Sequence, residues 1–267
     1  MTDFIGVGGG GMRFYILCKN EVANIRKCIE SLLACGMDVT VLDSGSTDGT
    51  LDVVRLYPVS LVSYAYTNHC NAYNELTLRE KNSYCGVLDA DMEMTVPLAN
   101  EIRSLSGDVE VMIAPVKMFT NGYPLSNGSL YPPKPIVFRG GREYFESIGH
   151  GERLVQGVRT AQATSALPHN DMKPYLSYLE SQVRYSENFI QRAAQNNLNW
   201  RDRLRLHTPL FILLTPLYSL IVKGGLFSRQ GWLYALDRLI AEAIMCRPGI
   251  LIKLKSEASE RMRKPAL

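Results

Sequence analysis

Two rhythms alternate along the first 115 residues. Arg13–Cys18 is a short apolar run without helical period, which predicts a buried strand. From Glu21 to Cys35, Val22, Ile25, Ile29, Leu32 and Leu33 recur at helical spacing, and Gly36 closes the segment. Asp38–Asp43 (DVTVLD) predicts a second strand, ended by the turn-forming Ser44–Gly49. The alternation continues with a short helix from about Thr50 to Tyr57, a strand at Val59–Tyr64 and a helix at Asn71–Lys81. A strand at Tyr84–Asp89, a helix at Pro97–Leu105 and a strand at Glu110–Pro115 complete it. Strands joined by helices of about ten residues need crossover connections, so the pattern predicts an α/β fold around a mostly parallel central sheet. Such a sheet binds ligands beyond the C-terminal ends of its strands.

The pattern loosens after residue 115. Residues 116–168 are rich in Gly, Pro and Tyr with short β-like runs such as Pro135–Phe138, and Tyr175–Asn196 has helical period. Residues 206–222 and 232–246 are strongly apolar, with Gly224-Gly225 between them. Pro209, Pro216 and His207 interrupt the first run, which at seventeen residues is short of the roughly twenty that a spanning helix needs. The chain divides on this basis into a leader (1–11), a first subdomain (12–115), a second (116–196) and an apolar, basic helical tail (197–267). Gly8–Gly11 in the leader are followed by an apolar run rather than a helix, so they do not form a dinucleotide loop.

Charge adds a direction to this division. The net charge of +3 splits into about +7 over residues 197–267 and −4 over the rest. A basic tail with long apolar runs suits an anionic membrane surface, and argues against nucleic acid as the partner. Arg201, Arg203 and Arg205 before the first apolar run, and Lys223 and Arg229 after it, frame an interfacial helix lying in the headgroups; the alternatives are helices packed in a core, a dimer interface and a true span. The six cysteines show no metal-ligand spacing and lie in apolar patterns, which predicts buried free thiols. The N-terminus has neither a basic start nor an apolar core of a signal peptide, so the expected location is the cytoplasm, at the inner face of the membrane.

The candidate chemistry sits at the predicted strand ends. Asp89 and Asp91 are two positions apart, so an extended backbone aims both carboxylates the same way. Two hard oxygen ligands beside a diphosphate suit Mg²⁺ or Mn²⁺. Asp43 closes the second strand, where a carboxylate can accept from a nucleoside. Ser46 and Asp48 are as well explained as helix caps.

Ile16–Glu21 (ILCKNE), Val41–Thr50 (VLDSGSTDGT) and Val87–Asp91 (VLDAD), in that order, resemble the three signature stretches of the family 2 glycosyltransferases. These are inverting enzymes of the GT-A fold. The chain is most similar to the lipopolysaccharide-core glucosyltransferase type, with further likeness in Gly149–Leu154 (GHGERL), Leu167-Pro168-His169 and the basic tail.

The resemblance implies a GT-A-like nucleotide-sugar-binding fold, with an acceptor side at residues 116–196. It implies a nucleoside-diphosphate sugar as donor, UDP-linked by preference, and a glycan or glycolipid acceptor; the alternatives are a polyprenyl-phosphate glycosyltransferase and a catalytically silent nucleotide-sugar-binding protein. Asn20, Glu21, Asp43 and Asp89 would bind the donor, and Lys81, with Asn74, would approach its phosphates. Asp89, Asp91 and His169 would hold the metal. Glu152 is the expected general base, oriented by His150; the alternatives are a plain loop acid paired with Arg153, and Glu93 as the base.

Overall fold

The computed structural model describes residues 12–81, 83–148, 151–195, 198 and 200–263. They form two units, one of residues 12–124, 131–147 and 151–173, the other mainly of residues 174–263 with the segment 125–130.

The first unit opens with the expected alternation. It runs β1 (Arg13–Cys18), α1 (Ile25–Ala34), β2 (Asp38–Asp43), α2 (Thr50–Val54), β3 (Ser60–Ser63), α3 (His69–Arg79), β4 (Tyr84–Asp89), α4 (Val96–Arg103) and β5 (Val111–Ala114). Three strands match their predicted bounds, because apolar runs bounded by turn residues leave little choice of ends. The first helix starts four residues later than its period suggests. Glu21–Asn24 form a turn instead, with Glu21 N donating to the Thr50 hydroxyl at 2.8 Å.

The remainder of the unit is β-rich: β6 (Val116–Thr120), β7 (Tyr123–Pro124), β8 (Lys134–Arg139), β9 (Phe145–Ile148), β10 (Gly151–Leu154), β11 (Thr160–Gln162) and β12 (Leu167–His169). The main sheet has the order β11-β5-β8-β4-β1-β2-β3. β1 to β4 pair in parallel, whereas β8 lies antiparallel between β4 and β5. An antiparallel insertion needs no crossover helix, so the helix–strand alternation in sequence carries no trace of it.

Side chains alternate across β1. Phe14, Ile16 and Cys18 face one hydrophobic layer with Ile25, Ile29 and Leu32 of α1, while Tyr15 and Leu17 face the other with Tyr73 and Leu76 of α3. Gly86 is required in β4: a Cβ there would stand 2.1 Å from the Phe14 ring. All six cysteines are free and buried.

The second unit contains α5 (Tyr175–Ala194), α6 (Trp200–His207), α7 (Phe211–Leu217), a π-helical turn (Tyr218–Val222), a 3-10 turn (Gly225–Phe227) and α8 (Arg229–Arg263). Its interior is polar in part. Buried Asp202 accepts from Arg192 at 3.2 Å and from Arg205 at 3.1 Å, and Arg205 also donates to Glu242 at 2.7 and 2.8 Å. The expected single interfacial helix over 206–222 is divided. Pro209 lacks an N–H and disfavours helix at Thr208, so α6 stops at His207 and α7 starts afresh at Phe211. Among the described residues no helix is long and apolar enough to cross a membrane.

Candidate active site

Register brings the signature residues to one edge of the sheet. β1 is central, with Cys18 opposite Asp43 on one side and Leu17 opposite Asp89 on the other. Asp43 and Asp89 thus flank the end of β1, about 10 Å apart across two strand spacings.

The turn after β2 is built by its own side chains. The Asp43 carboxylate accepts from Gly45 N at 2.9 Å, from Ser46 N at 3.1 and 3.3 Å and from the Ser46 hydroxyl at 2.5 Å. Three donors from the turn thus engage both carboxylate oxygens, so Asp43 here shapes the turn. Asn20 ties β1 to the same turn: its Oδ1 accepts from Thr47 N, and its own N–H donates to Ser46 Oγ, each at 2.8 Å. It does so from a left-handed backbone (φ 55°), which Asn tolerates better than most residues. Asp48 takes the structural role expected of it, accepting from Val22 N and Thr50 N at 3.1 Å.

Asp89, Asp91 and His169 converge. His169 Nε2 lies 3.0 Å from Asp91 Oδ2, and β12 is held there by a bridge between Met92 and His169. His169 Nδ1 sits 3.0 Å from Met118 Sδ, and the Tyr131 ring packs edge-on at 4.9 Å. Burial pushes the imidazole pKa down, but the Asp91 carboxylate outweighs it and holds it above its ordinary value. Asp89 Oδ2 pairs with the Lys134 ammonium. Burial alone would raise the Asp89 pKa; the charge of Lys134 first, and of His69 next, brings it below the usual carboxylate range. Asp89 Oδ1 and Asp91 Oδ1 remain buried with no hydrogen-bond partner. Two unpartnered carboxylate oxygens are of the donor type that Mg²⁺ or Mn²⁺ takes alongside water and substrate phosphate. Among the described residues no three or more His, Cys, Asp or Glu side chains are grouped so as to hold a metal ion by themselves, Asp89, Asp91 and His169 included.

Glu21 stands on the same side through the segment after β12. Its carboxylate accepts from Lys173 Nζ at 2.6 Å and Asn24 Nδ2 at 2.8 Å, and burial raises its pKa against the pull of Lys173. Asn170 N donates to Asp91 O at 2.9 Å.

Other expectations lie elsewhere. Lys81 is exposed at the N-terminal end of β4, roughly 16 Å of strand from Asp89, beside the Glu80–Arg13 pair. That is the opposite end of β4 from Asp89. Asn74 is used in packing: its amide accepts from Tyr144 N and Phe145 N at 3.0 Å and donates to Phe145 O at 2.8 Å. Glu93 lies two residues before Thr95, the N-cap of α4, and its N–H donates to Pro168 O at 3.1 Å. Glu152 belongs by its backbone to β10, but its side chain, like the whole of His150, lies outside the described residues. Arg153 pairs with Glu146 at 2.7 Å.

Lys134, Lys173, Tyr131 and Met118 were not legible as site residues. The signal was present for Lys134, a lysine framed by three prolines in Tyr131-Pro132-Pro133-Lys134-Pro135. Lys134 also lines a cleft of about 380 Å³ with Ile113, Tyr131, Phe145 and Leu154.

Comparison with known proteins addresses the same region. Residues 14–115 match the model for glycosyl transferase family 2. Over 96 residues the chain is 51% identical to the lipopolysaccharide core biosynthesis glycosyltransferase LpsC of Rhizobium meliloti (strain 1021), covering 34% of this chain and 35% of that protein. The match thus spans about a third of the relative's length. Among solved structures, glucosyl-3-phosphoglycerate synthase from Mycobacterium tuberculosis, in complex with Mn²⁺, UDP and glucosyl-3-phosphoglycerate, is 21% identical at a TM-score of 0.30, covering 41% of this chain and 44% of that one. S. aureus TarS 1–349 is 15% identical at a TM-score of 0.41, covering 87% and 80%. The signature turn, the paired carboxylates and the parallel strands that carry them all fall within residues 14–115, the span that matches the glycosyl transferase family 2 model.

Proposed function

We propose that the chain is an inverting glycosyltransferase that moves a sugar from a nucleoside diphosphate, UDP by preference, to a glycan or glycolipid of the cell envelope, in lipopolysaccharide core assembly. The observation that carries this is the pair of unpartnered oxygens on Asp89 and Asp91, buried at a strand end within the span that matches the family 2 model. A native site keeps buried acceptors unmet only where something else meets them.

Asp91, His169 and Asp89 would hold Mg²⁺ or Mn²⁺, which when bound would neutralise charge on the departing diphosphate. The chain's own residues do the rest. Asn20 and Asp43 form the turn against which the nucleoside lies, and Glu21, fixed by Lys173, borders it. The cleft beside Lys134 takes the sugar end. Glu152, two residues before cleft-lining Leu154 on β10, accepts the proton of the attacking hydroxyl, and His150 serves to orient it.

Docking on an anionic membrane belongs to the same proposal. Residues 203–236 contain four Lys/Arg and no Asp or Glu. The second unit exposes Leu213, Leu217, Ile221, Val222, Phe227 and Trp232 in that stretch. A lipid-linked acceptor would be met there.

The test is transfer from UDP-sugars to isolated core oligosaccharide. Glu152→Gln should lower the rate by about 10²–10⁴-fold while leaving UDP affinity unchanged. Full activity in that variant would contradict the assignment of the base and point to an acceptor, such as a phosphate, that needs none.

A further inference from the structure

Lys134 is placed where a simple metal site would not want it. Its ammonium contacts Asp89 Oδ2, so it competes with any cation for that carboxylate. Its position is not that of a mobile surface lysine. Pro132, Pro133 and Pro135 fix the backbone on both sides, β8 pairs with β4 and β5, and the side chain is 11% exposed. The side chain also lines the cleft, whose rim residue Tyr131 packs on His169. The two carboxylates are partnered in parallel fashion: Lys134 takes one oxygen of Asp89, His169 takes one of Asp91, and the other oxygen of each is unmet.

We propose that Lys134 is a protein-borne cation of the donor site, which neutralises Asp89 and presents a fixed positive charge to the diphosphate from the cleft, leaving Asp91 and His169 as the main metal-holding pair. This rests on the reading of the site as one for a nucleoside-diphosphate sugar. The electrostatic reason is direct. Two carboxylates and a diphosphate together exceed the charge of one divalent ion, and a buried ammonium makes up part of the difference without having to be recruited from solution. The same ammonium repels a divalent ion while the nucleotide is absent. Removing it should therefore move metal binding and nucleotide binding in opposite directions, which loss of a merely structural ion pair would not do.

The experiment measures Mn²⁺ binding alone by electron paramagnetic resonance, and UDP binding by calorimetry with Mn²⁺ and with EDTA. Wild type should retain weak UDP binding in EDTA. Lys134→Met should weaken that by about tenfold or more and tighten Mn²⁺ binding several-fold. Lys134→Arg should keep both near wild type. Because Lys134→Met strands a buried carboxylate, the double variant Lys134→Met/Asp89→Asn serves where the single one does not fold. It should keep the loss of UDP binding in EDTA and still bind Mn²⁺. Unchanged UDP binding in EDTA, or Mn²⁺ and UDP binding that weaken together, would overturn the proposal while leaving the donor reading intact. Failure of wild type to bind UDP even with Mn²⁺ would overturn the donor reading and this proposal with it.

Discussion

At the scale of single residues, the site is a set of side chains whose partners decide what they have left to offer. Asp43 has both carboxylate oxygens hydrogen-bonded within its own turn, whereas Asp89 and Asp91 each keep one oxygen without a partner. Both types look alike in sequence, an aspartate at the end of an apolar strand. What separates them is the following residues: the Gly45 and Ser46 N–H groups fold back on the Asp43 carboxylate, whereas Met92 N donates to the Asp89 backbone carbonyl and not to its carboxylate.

Glu101 shows how one more carboxylate secures the site from a distance. It accepts from Thr164 N, Thr164 Oγ1 and Ser165 N, all at 2.8 Å, and so pins the loop that leads into His169. Hydrogen bonds from Ser165 and Thr164 hold its carboxyl down at about 2. A carboxyl depressed on folding contributes stability above its unfolded pKa, and that contribution is lost as pH falls through the folded value. Denaturant unfolding of wild type and Glu101→Gln should therefore differ most above about pH 5 and converge toward pH 2. A difference independent of pH would contradict this role.

At the scale of elements, the strands that carry the chemistry were legible and their insertion was not. β1, β2 and β4 read directly from apolar runs closed by turn residues. β8 read only as a β-like run at Pro135–Phe138. Nothing in its composition says that it enters between β4 and β5, yet that placement delivers Lys134 to Asp89. His169 was legible by resemblance, and its contact with Asp91 depends on β12 pairing with β6, a long-range register that local pattern cannot encode.

The helical elements of the second unit differ from expectation in an informative way. Division of 206–222 at Pro209 moves the most exposed apolar residues to the turn after α7, with Ile221 at 67% and Phe227 at 89% exposure. Exposed Lys223 and Arg229 flank this turn. The protein should co-sediment with phosphatidylglycerol vesicles and not with phosphatidylcholine vesicles. Phe227→Ser/Trp232→Ser should reduce that binding by about tenfold or more at unchanged melting temperature. Equal binding to both lipids would contradict the charge argument, and a dimer in solution abolished by the same variant would assign the surface to a second copy.

At the scale of the molecule, the match to the glycosyl transferase family 2 model covers residues 14–115, while His169, Lys134 and Glu152 come from beyond it. The matched span supplies the signature turn and the carboxylate pair; the later strands supply the groups that set its charge. The measurement that tests the central claim most directly is calorimetric titration of UDP, with Mn²⁺, into wild type and Asp91→Asn. The account predicts saturable binding to wild type that depends on Mn²⁺, weakened by about tenfold or more in Asp91→Asn. No UDP binding by folded wild type, or equal binding by the two proteins, would contradict it.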